Sequence, residues 1–172
     1  MKISSRALIE LLGAASIVAS LVFVGVQLAQ DRTVALGAVF DNRTTAGMEM
    51  QRTRFESDAY IKQVADRWDQ GALPGWWNED IQSYKDQYQV STEGIYRLSI
   101  LGIIGAMYLD NNYYQYQLGL IGEEDWLEIR KAQAATLKGS AVYRAMYSNL
   151  TGLRPDTKNL VKELLAEQDI EG

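Results

Sequence analysis

The sequence contains no cysteine and no histidine among its 172 residues. Without cysteine there is no disulfide, no thiolate metal site, no cysteine nucleophile and no lipoprotein anchor. Without histidine there is no imidazole zinc site, no Ser-His-Asp triad and no Glu-x-x-His di-iron helix. Any reaction would have to use carboxylates, lysine, tyrosine or serine. We therefore expect a protein that is not an enzyme and that has no cofactor and no metal site.

Clustered positive charge is also scarce. The chain has 17 basic and 22 acidic residues, which gives a net charge of -5, and its basic residues form no stripe. Phosphate neutralisation by Lys and Arg supplies most of the affinity for nucleic acid, so nucleic acid is excluded as a partner. The hydrophobic content of 47% is ordinary for a folded protein and is enough for one modest domain with a core.

One long stretch is both uncharged and apolar. Residues 11–29 read LLGAASIVASLVFVGVQLA, with Gln27 and two serines as the only clearly polar members. At about 1.5 Å per residue, a helix of this length spans a bilayer core of about 30 Å. The apolar residues surround the helix and leave no polar face. The segment therefore predicts a retained single-pass membrane anchor over residues 1–30, with the lipid bilayer as a partner.

Two other interpretations of this stretch stay open. A cleaved signal peptide would also begin with Lys2 and Arg6 ahead of an apolar run, but Gln27 stands where a cut after Ala29 needs a small residue. A buried helix of a soluble protein is favoured slightly by Glu10 at the entry.

Small residues recur four apart on one side of the apolar stretch. Ala15 and Ala19 form one such pair, and Ser16 and Ser20 form the next. Small residues at this spacing allow two helices to approach closely in lipid, although they are common in membrane helices in general. They predict packing against a second copy of the chain or against another membrane protein.

Positive charge near the two ends of the stretch is nearly balanced. Lys2 and Arg6 lie before it, and Arg32 and Arg43 lie after it. Because positive residues remain on the cytoplasmic side, this balance leaves orientation open. The expectation is a C-terminal domain in the cytoplasm.

The rest of the chain predicts helices only, since no strand-like alternation occurs. Residues 31–56 are expected to form a helical stalk or linker, and residues 57–172 a compact domain of five or six helices. A helix over 92–118 is expected at the centre of that domain. Its uncharged part, residues 98–109, is too short to span a bilayer and is typical of a buried helix. The fold class is therefore all-α.

Aromatic residues and glycines mark a possible interface or pocket in the domain. Trp76 and Trp77 follow a Pro-Gly turn, either as an anchor at lipid headgroups or as a loop packing its own aromatics onto the core. Gly102 and Gly105 allow another helix to pack closely. Together with the many tyrosines, these glycines could line a pocket between helices.

The segment NNYYQYQLGLIGEEDW, residues 111–126, predicts a joint between two helices. Tyr113 and Tyr116 fall on the last turns of the first helix, and Gly119 is placed to end it in the left-handed conformation. Three acids over 123–125 then fall in the first turn of the next helix, where the macrodipole favours negative charge. A carboxylate site for Ca²⁺ or Mg²⁺ is the alternative, but adjacent acids on a helix point in different directions.

Two stretches of the sequence, IELLGAASIVASLVFVGVQLAQ and YYQYQLGLIGEEDW, carry a resemblance. The chain resembles a family of small, uncharacterised bacterial single-pass membrane proteins that pair an N-terminal hydrophobic helix with a block resembling FYQYxxGLLDExxW. Such proteins close with a short helix opened by a proline, here Pro155. Arginines often follow the anchor in that family, whereas this chain has QDRTVALG. The resemblance implies no reaction, cofactor or catalytic residue.

Taken together, these features predict a non-enzymatic, membrane-anchored interaction subunit that assembles with itself or is accessory to a larger membrane complex. The alternative is a membrane-tethered sensor that binds a small ligand or a lipid.

Overall fold

Side-chain caps set where four of the helices begin in the computed structural model, which describes residues 5–169. Each capping oxygen accepts a hydrogen bond from the backbone N–H three residues later, which satisfies a donor that the helix leaves free. The caps are Ser57, Asn78, Ser91 and Ser140. The expected start of the central helix at residue 92 is confirmed.

The described residues form seven helices and no strand, and the structure is 84% helical. The predicted all-α class is therefore confirmed. In chain order the helices are α1 (Ser5–Glu56), α2 (Asp58–Asp69), α3 (Glu79–Gln87), α4 (Thr92–Gln117), α5 (Glu123–Gly139), α6 (Ala141–Asn149) and α7 (Pro155–Asp169).

The chain divides into two units, Met1–Val39 and Phe40–Gly172, with the boundary inside α1. In the described part of the first unit, α1 is long and apolar enough to cross a membrane. Its most apolar window has a mean hydropathy of 2.2, and none of that window is buried. No other helix among residues 5–169 meets the same test. Lys2, one of the positive residues counted for the membrane orientation, lies outside the described residues.

The second unit begins nearer the N-terminus than the sequence analysis placed it. Residues 40–56, expected as part of a separate stalk, belong to the helical domain. The Phe40 ring lies 4.7 Å from the ring of Tyr114, and the Asn111 amide donates to the Asp41 carboxylate at 2.8 Å. The inward positions of these residues are largely polar or small and lack the apolar pattern of a core helix, so the sequence alone did not assign them to the domain.

Helix α4 lies at the centre of the second unit and contributes to both parts of its core. One part surrounds Leu109, Trp126 and Tyr147, and the other surrounds Ile81 and Ile95. Helix α6 packs along α4 where the two glycines leave room. A Cβ at Gly102 would lie 3.0 Å from Met146 Cγ, and one at Gly105 would lie 2.5 Å from the hydroxyl oxygen of Tyr147.

The predicted joint between α4 and α5 is confirmed. Helix α4 ends at Gln117, Leu118 is its C-cap, and Gly119 follows with a φ of 71°. Gly122 is the N-cap of α5, whose first turn holds Glu123, Glu124 and Asp125.

We predict that Gly119→Ala lowers the free energy of unfolding by about 1 kcal/mol. A Cβ there would meet no atom within 4 Å, so the cost comes from the left-handed backbone alone. Gly139→Ala is the control, because that glycine is helical and its added Cβ also has open space. Urea unfolding should show the control to be neutral or more stable. Equal effects of the two variants would contradict the explanation.

Candidate functional site

The four small residues predicted for helix packing lie exposed on α1. The hydroxyl of Ser16 donates to the Leu12 carbonyl, and that of Ser20 donates to the Ser16 carbonyl, both at 2.8 Å. Because both hydroxyls are satisfied within the helix, they offer a neighbour a small surface rather than a free donor. Ala15 and Ala19 extend that surface. Whether a second helix packs there stays a prediction.

Trp76 and Trp77 pack on the domain core. Their rings lie 5.4 Å and 5.6 Å from the ring of Trp68, with near-perpendicular planes, and the Trp68 ring also contacts Tyr96 at 5.1 Å. Both indoles are half-buried and border the core around Ile81. This placement favours the interpretation of a loop that packs its own aromatics.

Tyr113 and Tyr116 stack against Trp126, which is 5% exposed. Their ring centroids lie 5.1 Å and 5.2 Å from that of the indole, with interplanar angles of 23° and 15°. The Tyr116 hydroxyl donates to Glu123 at 2.5 Å, and this bond raises the pKa of the tyrosine. The side chains of the segment therefore join α4 to α5. No group of three or more acidic residues within residues 5–169 is arranged to hold a metal ion.

A pocket does form in the domain, but not at the residues that the sequence analysis suggested. Gly102 and Gly105 are covered by α6 and leave no open space. The two larger cavities described below are not lined by Trp76, Trp77, Tyr113 or Tyr116. The two glycines lie in close contact with side chains of α6.

Burial affects the tyrosine that fills the space above Gly105. Tyr147 is 2% exposed and its hydroxyl donates to the side-chain oxygen of Gln133 at 2.5 Å. Burial raises the pKa of Tyr147 because the phenolate would lose its hydration, and the nearby Tyr143 adds to the effect.

We predict that stability falls in alkaline solution. Because the pKa of Tyr147 is higher in the folded than in the unfolded chain, its contribution is fully present below the unfolded value of about 10 and is lost as pH rises through the folded value. Urea unfolding from pH 8 to pH 11 should show the decline, and Tyr147→Phe should make it shallower. An unchanged slope in the variant would contradict the assignment.

Two of the cavities are of similar size but of different character. One has a volume of about 520 Å³ and is lined largely by polar residues, among them Asp80, Arg144 and Ser148. The other has a volume of about 490 Å³ and lies between residues 40–51 of α1, helix α4 and the segment joining α6 to α7. We call the second the α1–α4 cleft. Its mainly apolar lining with a few polar groups is typical of small-molecule sites.

The α1 side of the cleft is a stripe at helical spacing. Phe40, Thr44, Gly47 and Gln51 all line it, and Thr44 and Gln51 are each 7% exposed. The opposite side includes Ile103 of α4.

A buried ion pair lies at one edge of the cleft. The Asp110 carboxylate accepts from the Arg154 side chain at 3.1 Å and also from the Thr157 hydroxyl. The guanidinium donates in addition to the Asp110 carbonyl at 2.8 Å and lies over the rings of Phe40 and Tyr114. The pair thus ties the segment before α7 to α4 and to α1.

The sequence analysis assigned no role to Arg154 or to the cleft-lining stripe. The available signals were weak: an Asp-Asn pair ends the apolar part of α4, and Arg154 directly precedes Pro155. Nothing in the sequence around Asp110 indicates its partner. The structure directs this carboxylate to Arg154.

The comparisons with known proteins give no relative for this chain: no protein family, no curated protein and no solved structure matches it.

Proposed function

We propose that this chain is a non-enzymatic, membrane-anchored interaction subunit that assembles with itself or serves a larger membrane complex. The observation that carries the proposal is the bare apolar surface of the first unit, where the most apolar window of α1 is wholly unburied. An apolar surface of this length is stable only when lipid or another protein covers it.

The chemistry of the second unit supports a role in binding rather than in reaction. Asp110 is held by Arg154 and Thr157, and Glu123 accepts from Tyr116. These carboxylates make contacts that hold helices together.

The proposal places the chain in a bacterial inner membrane with the helical domain in the cytoplasm. Because the sequence has no cysteine, a single introduced cysteine is the only site for a maleimide. The exposed Glu124→Cys variant should resist a membrane-impermeant maleimide in intact spheroplasts and react after lysis. Reaction in intact spheroplasts would place the domain outside.

The interaction role is tested by extracting the full-length chain at native abundance in a gentle detergent. The mass of the extracted particle and the identity of its components are then measured. The proposal expects a particle larger than one chain, containing further copies or other membrane proteins. A bare monomer with no companion would overturn it.

The contact face on α1 can be tested in the same measurement. Ala19→Leu enlarges the small-residue face, whereas Ala14→Leu adds the same side chain about 140° around the helix. Both positions are exposed. If Ala15, Ser16, Ala19 and Ser20 form the contact, Ala19→Leu should reduce the particle mass and Ala14→Leu should leave it unchanged. Equal effects would remove this face from the proposal.

A further inference from the structure

The α1–α4 cleft lies along the stretch of α1 and α4 between two sets of contacts that join these helices. At one end, the Asn111 amide binds Asp41 at 2.8 Å. At the other, the Arg97 guanidinium donates to the Phe55 carbonyl at 2.6 Å and to the Asp58 carboxylate at 2.5 Å. The helices are thus fixed relative to each other without filling the volume of about 490 Å³. A groove of this size with a mainly apolar lining and a few polar groups is typical of a small-molecule site.

The dimensions and walls of the cleft suit an extended apolar chain. From Phe40 to Gln51 the helix advances roughly 16 Å at 1.5 Å per residue. Ile103, Met107 and Leu153 supply apolar surface along this length. Methionine adapts its shape easily, which suits a flexible ligand.

The charged residues that line the cleft indicate the polar group at the end of a bound apolar chain. Of the ionisable residues that line the cleft, Asp110 and Arg154 neutralise each other. The remaining one is Arg43, which is exposed and makes no ion pair within residues 5–169. The cleft therefore carries one uncommitted positive charge on a chain whose net charge is negative. A carboxylate or a phosphate would complement it.

We propose that the α1–α4 cleft binds a single-chain anionic lipid, with its acyl chain along Ile103 and Met107 and its head group against Arg43. A free fatty acid and a lysophosphatidate share this chemistry. The cleft lies within the second unit, so the inference does not depend on self-assembly or on a protein partner.

Photolabelling tests the proposal on the full-length protein in phosphatidylcholine bilayers. The probe is a palmitate that carries a diazirine, and trypsin releases residues 44–52 of the cleft wall as one peptide and residues 7–32 as another. Label on 44–52 should fall by about tenfold under saturating oleate or lysophosphatidate. Label on 7–32 should not change, because probe dissolved in the bilayer reacts with this segment whether or not the cleft is occupied. Whichever competitor acts at the lower concentration identifies the natural head group.

Two pairs of variants separate an effect on binding from an effect on folding. For each variant, the label that the competitor removes is measured on the intact chain. Gly47→Leu places a side chain in the cleft against the flexible end of Met107 and should abolish competed labelling. Ala46→Leu adds the same side chain at an exposed neighbouring position and should not. Arg43→Gln should weaken binding about two- to fivefold, whereas Arg52→Gln, whose partner is Glu56, should leave it unchanged.

Two outcomes would overturn the inference. One is label on 44–52 that neither competitor reduces. The other is competed labelling that survives Gly47→Leu in a chain whose helix content equals that of the wild type.

Discussion

Replacing Asp110 by alanine is expected to lower the free energy of unfolding by about 3–5 kcal/mol. The Asp110 side chain is 9% exposed and that of Arg154 is 22% exposed, so the variant leaves a largely buried guanidinium without its carboxylate. The Thr157 hydroxyl, which is fully buried, loses its acceptor at the same time. Such losses cost more than the intact pair contributes, because the abandoned groups stay away from water.

Asp66→Ala is the matched control for this prediction. Asp66 also pairs with a cation, Lys62, but their side chains are 52% and 66% exposed. Exposed pairs of this kind contribute little to stability because water screens them. Urea unfolding of the full-length chain in mild detergent should therefore separate the two variants clearly. If Asp110→Ala cost no more than Asp66→Ala, the ion pair would not hold the segment before α7 in place.

Trp126→Ala is the second substitution with a large expected effect, a loss of about 3–5 kcal/mol. The indole is buried and stacks against Tyr113 and Tyr116, and it belongs to the core that includes Leu109 and Tyr147. Its removal opens a cavity exactly where α4 is joined to α5, and the two tyrosines lose their stacking partner.

The control for Trp126 is Tyr88→Ala, which removes an aromatic ring that is 60% exposed. Within residues 5–169, the one ring that the Tyr88 ring contacts is that of Tyr84, at 4.8 Å. We expect this variant to change the free energy of unfolding by less than about 1 kcal/mol. A Trp126→Ala variant as stable as Tyr88→Ala would show that the segment around residues 111–126 is not the structural joint described above.

Local sequence signals were sufficient for most helix boundaries. Ser57, Asn78 and Ser140 are capping residue types placed directly before helical patterns, and each caps a helix. Gly71 and Gly119 end α2 and α4, and both have positive φ. Such signals act within a few residues, so a single sequence displays them fully.

The contacts that define the cleft act over long separations and could not be predicted in the same way. Asp110 and Arg154 are 44 residues apart, and Asn111 and Asp41 are 70 apart. Polar pairs of this kind carry no periodic signal, because either residue alone also suits a solvated surface. The same reason explains why residues 40–56 were assigned to a stalk.

The glycines of α4 show how far a local inference from glycine spacing reaches. Gly102 and Gly105 were recognised as places where another helix can approach. The surface of α4 at these glycines can either contact another helix closely or border an open pocket. The side chains of α6 determine which of the two occurs. Met146 and Tyr147 fill the space. The identity of the approaching helix is a property of the whole fold, which the spacing of two glycines does not contain.

The most direct test of the account is the fate of residues 1–30 in the native host. Membranes are washed with sodium carbonate, and the intact mass of the chain is measured in the pellet and in the supernatant. A retained anchor predicts the unprocessed 19.3 kDa chain in the pellet, released only by detergent. A shorter chain in the supernatant, lacking the apolar segment, would mean that the segment is a signal peptide. The full-length chain in the supernatant would mean that α1 is a helix of a soluble protein. Either result would contradict the account.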